Sequence, residues 1–498
     1  MKGGISKKHI KLLHNLLRGA GVILISLLSV YCYFHFGLVA GIMILLLPFC
    51  IAYIVIIYHK PQFTAYVLLG LCFFNYFISR YLLRGGMPAG IFFDIALVGG
   101  YAIMLLKGVS SKIEWVKLSD APNLVLIIWL LYCLLSLANM ESPGFDAWFL
   151  CVRVHLYMVL SIPLLCLLLD VKLLRMMLIL WGIFSIIFSL KGYAQLNIGW
   201  DFADRAFLDI YYPTHLIRGK LRVFSFSSDA GQFGVQQAHA AVIGAILFFS
   251  EKKRKLRLLF LLMSLTGLYG MFVSGTRGAI FVVLVGAVAY TFLIRRTKLM
   301  IQSAIFAGGF YFLMAFTNIG QNVYEFQRMR TAFKPEKDES YLVRKRNQAK
   351  LKVYLASRPF GGGLGSMMYG PSGSVLASTP YDSGYVLTWG DQGIVGLCMY
   401  IGMILFFLFK GAITVWYKIK NEWLRNVVIA MMAGLFGVAV ANYGNPVMLQ
   451  FPTCILYNLT IATIYAAPRM DKYLKEREQK VTEPVLSKST RLHKYRVT

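Results

Sequence analysis

Runs of roughly 18 to 22 apolar residues recur along the whole chain, each long enough as a helix to cross a hydrocarbon layer about 30 Å thick. They fall near 19–36, 37–58, 63–79, 88–106, 121–138, 147–169 and 173–195, and then 233–250, 256–273, 278–294, 299–317, 385–409, 424–442 and 447–466. Backbone polar groups in lipid find partners only inside a helix or a closed barrel, so this pattern predicts an all-α, polytopic transmembrane bundle of about fourteen spans. A second apolar run follows the first at once with no small-residue cleavage site between them, so the first is expected to stay in the membrane. No internal repeat or low-complexity linker divides residues 1–498, which read as a single transmembrane domain.

The polar stretches give the bundle a direction. Basic clusters MKGGISKKHIKLLHNLLR, KGVSSKIEWVK, DVKLLR, SEKKRKLR, RRTK and KIKNEWLR, and the basic tail 467–498, fall on one side when spans are counted alternately. The positive-inside bias then predicts both termini, and that tail, in the cytoplasm. One outer loop, SRYLLRGGMP with Arg80 and Arg84, runs against the bias. The outer face receives the loop 196–232, the turn VSGTRGA and the long segment 318–384, which is expected to fold as a helical cap. Loops of that length usually carry function.

Composition agrees: the chain is 58% hydrophobic and 15% charged, with mean hydropathy +0.63. A net charge of +29 could indicate nucleic acid, but the charge comes as short clusters between spans, so a nucleic-acid partner is not expected and membrane lipids are. The eight cysteines lie in or beside apolar runs without metal-ligand spacing, and read as small core residues. No metal site or cofactor is expected.

Candidate chemistry gathers on the outer face. LIRGKLRVFSFSSDAGQFG places Arg218, Lys220 and Arg222 before a span; planar, permanently charged guanidinium suits bidentate phosphate contacts, although border arginines also bind lipid phosphate nonspecifically. Arg222 is the preferred clamp. In VSGTRGA, Arg277 stands among small residues that allow a ligand or helix to approach closely; the alternative is a snorkelling side chain. SYLVRKRNQAKLKVYLAS reads as a helix over 340–357, ended by Pro359, whose basic face with Arg344 is either solvated or a funnel toward polyanions.

RPFGGGLGS lacks both the GxxxxGK[ST] pattern and a βαβ setting, and it faces away from cytoplasmic nucleotide, so its glycines read as a turn. At the next span start, YDSGY offers Asp382 as either a proton acceptor or a helix N-cap, a task Ser383 can share. Tyr381 and Tyr385, flanking Asp382, offer flat faces for stacking or mark an interfacial belt. His239, in QQAHAAV, is expected to be a satisfied core histidine; Asp94 is a membrane-buried acid without an evident partner, and His215 sits in no visible motif.

Taken in order, these pieces resemble the O-antigen ligase and polymerase family of bacterial membrane glycosyltransferases. RVFSFSSDAGQFG is similar to the family's arginine-led segment, VSGTRGA to its SxSRGA element and RPFGGGLGS to its xPxxGxGxG turn. YDSGYVLTWGDQGIVGL resembles its closing motif, with Asp382 at the position of the ligases' histidine and Ser383 at that of their asparagine; Asp391, Gly393, Gly396 and Leu397 keep the remainder. The likeness covers roughly residues 218–410.

It implies a GT-C-like enzyme of the bacterial inner membrane, with 196–232 and 318–384 in the periplasm. The donor would be an undecaprenyl-diphosphate-linked oligosaccharide and the acceptor a glycan, with chain-length regulators or other assembly proteins as partners. Asp382, Arg277 and Arg222 would be catalytic, and Arg218, Arg344, Arg358, Ser383, Tyr381 and Tyr385 would bind substrate. A carboxylate is intrinsically a weaker base than imidazole, so the replacement of histidine tilts the expectation from ligase toward polymerase of O-antigen or exopolysaccharide repeats. A flippase or exporter is the reading from another class, but it would show repeat symmetry, short loops and charges dispersed through the spans.

Overall fold

The computed structural model describes residues 7–109, 114–217, 219–317, 324–331, 333 and 339–494. Its helices are α1 (Lys7–Phe36), α2 (Leu38–His59), α3 (Phe63–Phe77), α4 (Gly90–Val109), α5 (Asn123–Leu135), α6 (Phe145–Leu168), α7 (Val171–Asn197), α8 (Phe202–His215) and α9 (Ala230–Ser250). They continue with α10 (Arg254–Val273), α11 (Arg277–Ile294), α12 (Thr297–Phe316), α13 (Tyr324–Thr331), α14 (Glu339–Leu355), α15 (Ser366–Tyr369), α16 (Gly384–Ile413), α17 (Glu422–Ala441) and α18 (Thr453–Lys494). The described strands, β1 (Leu216–Ile217) and β2 (Lys220–Leu221), form one antiparallel hairpin.

Every apolar run read from the sequence falls on a helix. Among the described residues, nine helices are long and apolar enough to cross a membrane by length and composition, with shorter apolar stretches in α1, α2, α5 and α12. The last run starts later than expected: a short 3-10 turn at Val447–Leu449 precedes α18, because Pro446 and Pro452 cannot donate to a continuing helix.

At the centre, α9 packs against α7, α10, α11 and α17. Asp229 starts it, accepting from the Gly231 and Gln232 N–H groups at 2.7 and 3.0 Å, and its alanines and glycines leave room for four neighbours. His239 corrects the sequence expectation. It is fully buried with its ring 4.9 Å from that of Trp181, yet among the described residues neither ring nitrogen has a hydrogen-bond partner. Asp94 gains a partner in Arg153, at 2.7 Å.

The connections separate into two groups. Contacts from Gln62 to Asp170, Arg175 to Glu251, Trp423 to Glu251 and Arg469 to Asp120 gather most of the basic clusters at one end of the bundle. The loop 196–232, the turn before α11, and α13 and α14 meet at the other end around one cavity.

The cap is fastened to the bundle at a break in α16. Gly393 adopts a left-handed φ of 68°, and the opened backbone receives the 359–361 turn. Val395 N–H donates to the Pro359 carbonyl at 3.2 Å, and Gly362 N–H to the Gly390 carbonyl at 3.0 Å. A Cβ at Gly393 would run into Pro359, and one at Gly361 would run into Gly393, so neither position admits a side chain. Buried Asp391 then accepts from Gly365 and Met367 N–H at 3.1 and 2.8 Å, which accounts for the glycine-rich turn without a phosphate.

Candidate active site

The cavity at the cap end holds about 1360 Å³. Arg222, Arg277, Arg344 and Asp382 line it together, although they come from four separate segments of the chain. With them stand Arg80, Arg84, Arg328 and Asp229, so that six arginines and two aspartates are among its described lining residues. Such a hollow concentrates positive potential.

Arg222 follows directly on the β hairpin. Its N–H donates to the His215 carbonyl at 2.7 Å, Nη1 to the Thr214 carbonyl at 3.1 Å and Nη2 to Thr276 Oγ1 at 3.4 Å. That threonine is the immediate neighbour of Arg277 and also donates to the Ala230 carbonyl at 2.8 Å, tying the two arginine segments to the start of α9. Arg277 opens α11 and donates from Nη1 to Thr331 Oγ1 of α13 at 3.0 Å.

His215, which no sequence pattern marked, is a buried hinge pin. Its Nε2 accepts the Ala230 N–H at 3.3 Å, joining α8 to α9. Burial, and then the Arg222 guanidinium, push its imidazole down to about 4.

Asp382 is half exposed in the cavity, with its Oδ2 3.4 Å from Arg344 Nε, while Arg344 Nη2 donates to the Gly444 carbonyl at 3.1 Å. The N-cap of α16 is Ser383, whose hydroxyl accepts from Val386 N–H at 3.4 Å. Of the two tasks open to Asp382, the cap therefore belongs to its neighbour, and the carboxylate faces the cavity.

Other candidates lie elsewhere. Arg358 pairs with Glu141 at 2.6 Å and stacks on Tyr354, outside the cavity lining. Tyr385 donates to the Ala439 carbonyl at 2.6 Å, and Tyr381 lines a separate cavity of about 120 Å³ beside His155 and Gln392. Arg218 lies outside the described residues.

Arg80 and Arg84 were legible only as exceptions to the charge bias. Arg80 donates to the carbonyls of Ser225, Ser227 and Ser228 at 3.3, 2.7 and 3.1 Å, so it braces the 225–228 loop. Nothing in the sequence marked the Tyr443–Asn445 turn, which lines the cavity beside Asp382. No group of three or more His, Cys, Asp or Glu side chains among the described residues is arranged to hold a metal ion.

Helices of this length define a multi-pass membrane protein, with an arginine-rich hollow at one end of them. Residues 258–401 match the model of a protein family described as O-antigen ligase, which supports a relationship to that family over this part of the chain. The matched segment includes Arg277, Arg344 and Asp382, while Arg222 stands before it. No curated protein matches the chain.

Proposed function

We propose that this protein is a membrane glycosyltransferase that moves a glycan from undecaprenyl diphosphate to a sugar hydroxyl at the periplasmic face of the bacterial inner membrane, polymerising O-antigen or exopolysaccharide repeats. The observation that carries the reading is the convergence of Arg222, Arg277 and Asp382 on one cavity. The acceptor oxygen attacks the anomeric carbon while the bond to the diphosphate oxygen breaks. Asp382 takes the hydroxyl proton, and Arg222 and Arg277 receive the negative charge that collects on the diphosphate. Arg344 aims the carboxylate into the cavity. The relationship to that family supports lipid-linked glycan as donor and a second glycan as acceptor.

Transfer to a different acceptor, as by a ligase, uses the same chemistry and is the second reading, which the family's description as O-antigen ligase supports; the polymerase reading is preferred because Asp382 stands where the ligases have histidine. A deletion strain complemented with wild type, Arg222→Ala, Arg277→Ala or Asp382→Ala separates them. Variants that leave a single capped repeat without longer rungs identify a polymerase, and loss of all capping identifies a ligase. A wild-type ladder from all three variants overturns the site. Lipid-linked repeat held on the cytoplasmic leaflet replaces it with a transporter.

A further inference from the structure

The cavity is longer than a diphosphate requires. Phe202, Ala203, Ala206, Phe207, Ile210 and Thr214 all line it, a single helical face running the length of α8. Arg222 sits at one end of that face, on the Thr214 carbonyl. Arg84 sits at the other, with its guanidinium carbon 5.9 Å from the centre of the Phe202 ring. At about 1.5 Å per residue the two ends are roughly 18 Å apart, slightly less across the break at Tyr211, and helical side chains lean toward the N-terminus, which carries the Phe202 ring further out. One diphosphate cannot touch both arginines.

Arg84 is also held in an unusual backbone state. Its φ is +46°, in the left-handed region that costs a side-chain-bearing residue about 1 kcal/mol or more and recurs at ligand clamps. Among the described residues no carboxylate pairs with it. Asp201 and Asp204, at the same end of α8, are occupied by Lys191 at 2.7 and 2.6 Å. The wall between the two arginines presents the exposed rings of Phe202 and Tyr211, flat faces on which sugar rings stack. A polyprenyl tail laid along that wall would end on a charge, whereas a glycan chain would end on a partner for it.

We propose that Arg84 is a second anion subsite, which takes the carboxylate of an acidic sugar of the hexuronic class a few residues along the glycan from the diphosphate held by Arg222 and Arg277. The inference rests on the glycosyl-transfer reading above. A guanidinium fork meets a carboxylate in two parallel hydrogen bonds, so a neutral sugar at that position forfeits the contact.

The test uses the full-length protein in phosphatidylcholine nanodiscs and two undecaprenyl-diphosphate-linked tetrasaccharides that differ only in bearing a hexuronic acid or the corresponding neutral hexose. Wild type is expected to bind the acidic donor about tenfold more tightly. Arg84→Asn, whose side chain tolerates the left-handed region, and Arg84→Gly bring that ratio to near one. Arg277→Ala weakens both donors and keeps the ratio. Equal binding of both donors by wild type overturns the subsite and leaves the transfer reading standing, whereas failure of both to bind overturns the two together. If Arg84→Asn instead reduces the retention of phosphatidylglycerol in native mass spectra while the donors bind equally, the anion is a lipid headgroup and the glycan proposal is wrong.

Discussion

Arg344 holds Asp382 from one side: its Nε lies 3.4 Å from the Asp382 carboxylate, and its Nη2 is anchored to the Gly444 carbonyl. Because Ser383 supplies the helix cap, the two adjacent residues can be separated experimentally. Asp382→Asn is expected to lower kcat by about 10²–10⁴ with little change in thermal stability. Ser383→Ala should cost about 1 kcal/mol of stability while each folded molecule keeps its turnover. Turnover and melting temperature of the two purified variants check the division, and equal losses of turnover would merge their roles.

Removing Arg277 or Arg222 removes a donor to charge that develops on the leaving group. Each alanine variant is expected to lose about 10²–10³ in kcat. Lysine at either position should recover only part of this, since an ammonium cannot present a planar fork. Single-turnover release of undecaprenyl diphosphate measures it, and full activity in Arg277→Lys would reduce the guanidinium to a mere charge.

The docking of α8 on α9 should depend on pH through His215. The neutral imidazole accepts the Ala230 N–H in the folded state, and its proton affinity there is depressed to about 4 from an ordinary value near 6.5. Protonation therefore favours the undocked form. The contribution is fully present above about pH 6.5 and is lost as pH falls toward 4. Limited proteolysis of the 196–232 segment should rise over that window in wild type and not in His215→Gln, and a flat wild-type profile contradicts the assignment.

Asp391 accepts two backbone N–H groups in a buried setting. Asp391→Ala leaves both without an acceptor and should destabilise the fold by about 2–5 kcal/mol, with Asp391→Asn losing less because one oxygen remains. Thermal unfolding in detergent reads the difference.

The helical segments were legible because apolar run length is a property of the local sequence, whereas the partners in the site are set by contacts distant along the chain. Arg358 stands beside a family-like glycine turn, yet Glu141, over two hundred residues earlier, claims it. Asp382 was legible as a border carboxylate; that Arg344 rather than a helix N-terminus would hold it depended on where α14 folds back. The arginines at 80 and 84 carried a usable signal, a breach of the expected charge bias, but its meaning required seeing α8 laid between them and Arg222. The unsatisfied nitrogens of His239 had no sequence signature, since they follow from the apolar identity of what packs around it.

The fastening of Pro359 and Gly361 into the break at Gly393 sets a rule for transplanting parts between relatives. A chimera that exchanges the cap but keeps the recipient's α16 joins two halves of one lock cut for different keys. Grafts should carry residues 359–395 as a single cassette, and those that split it should fail to assemble whatever glycan they are offered.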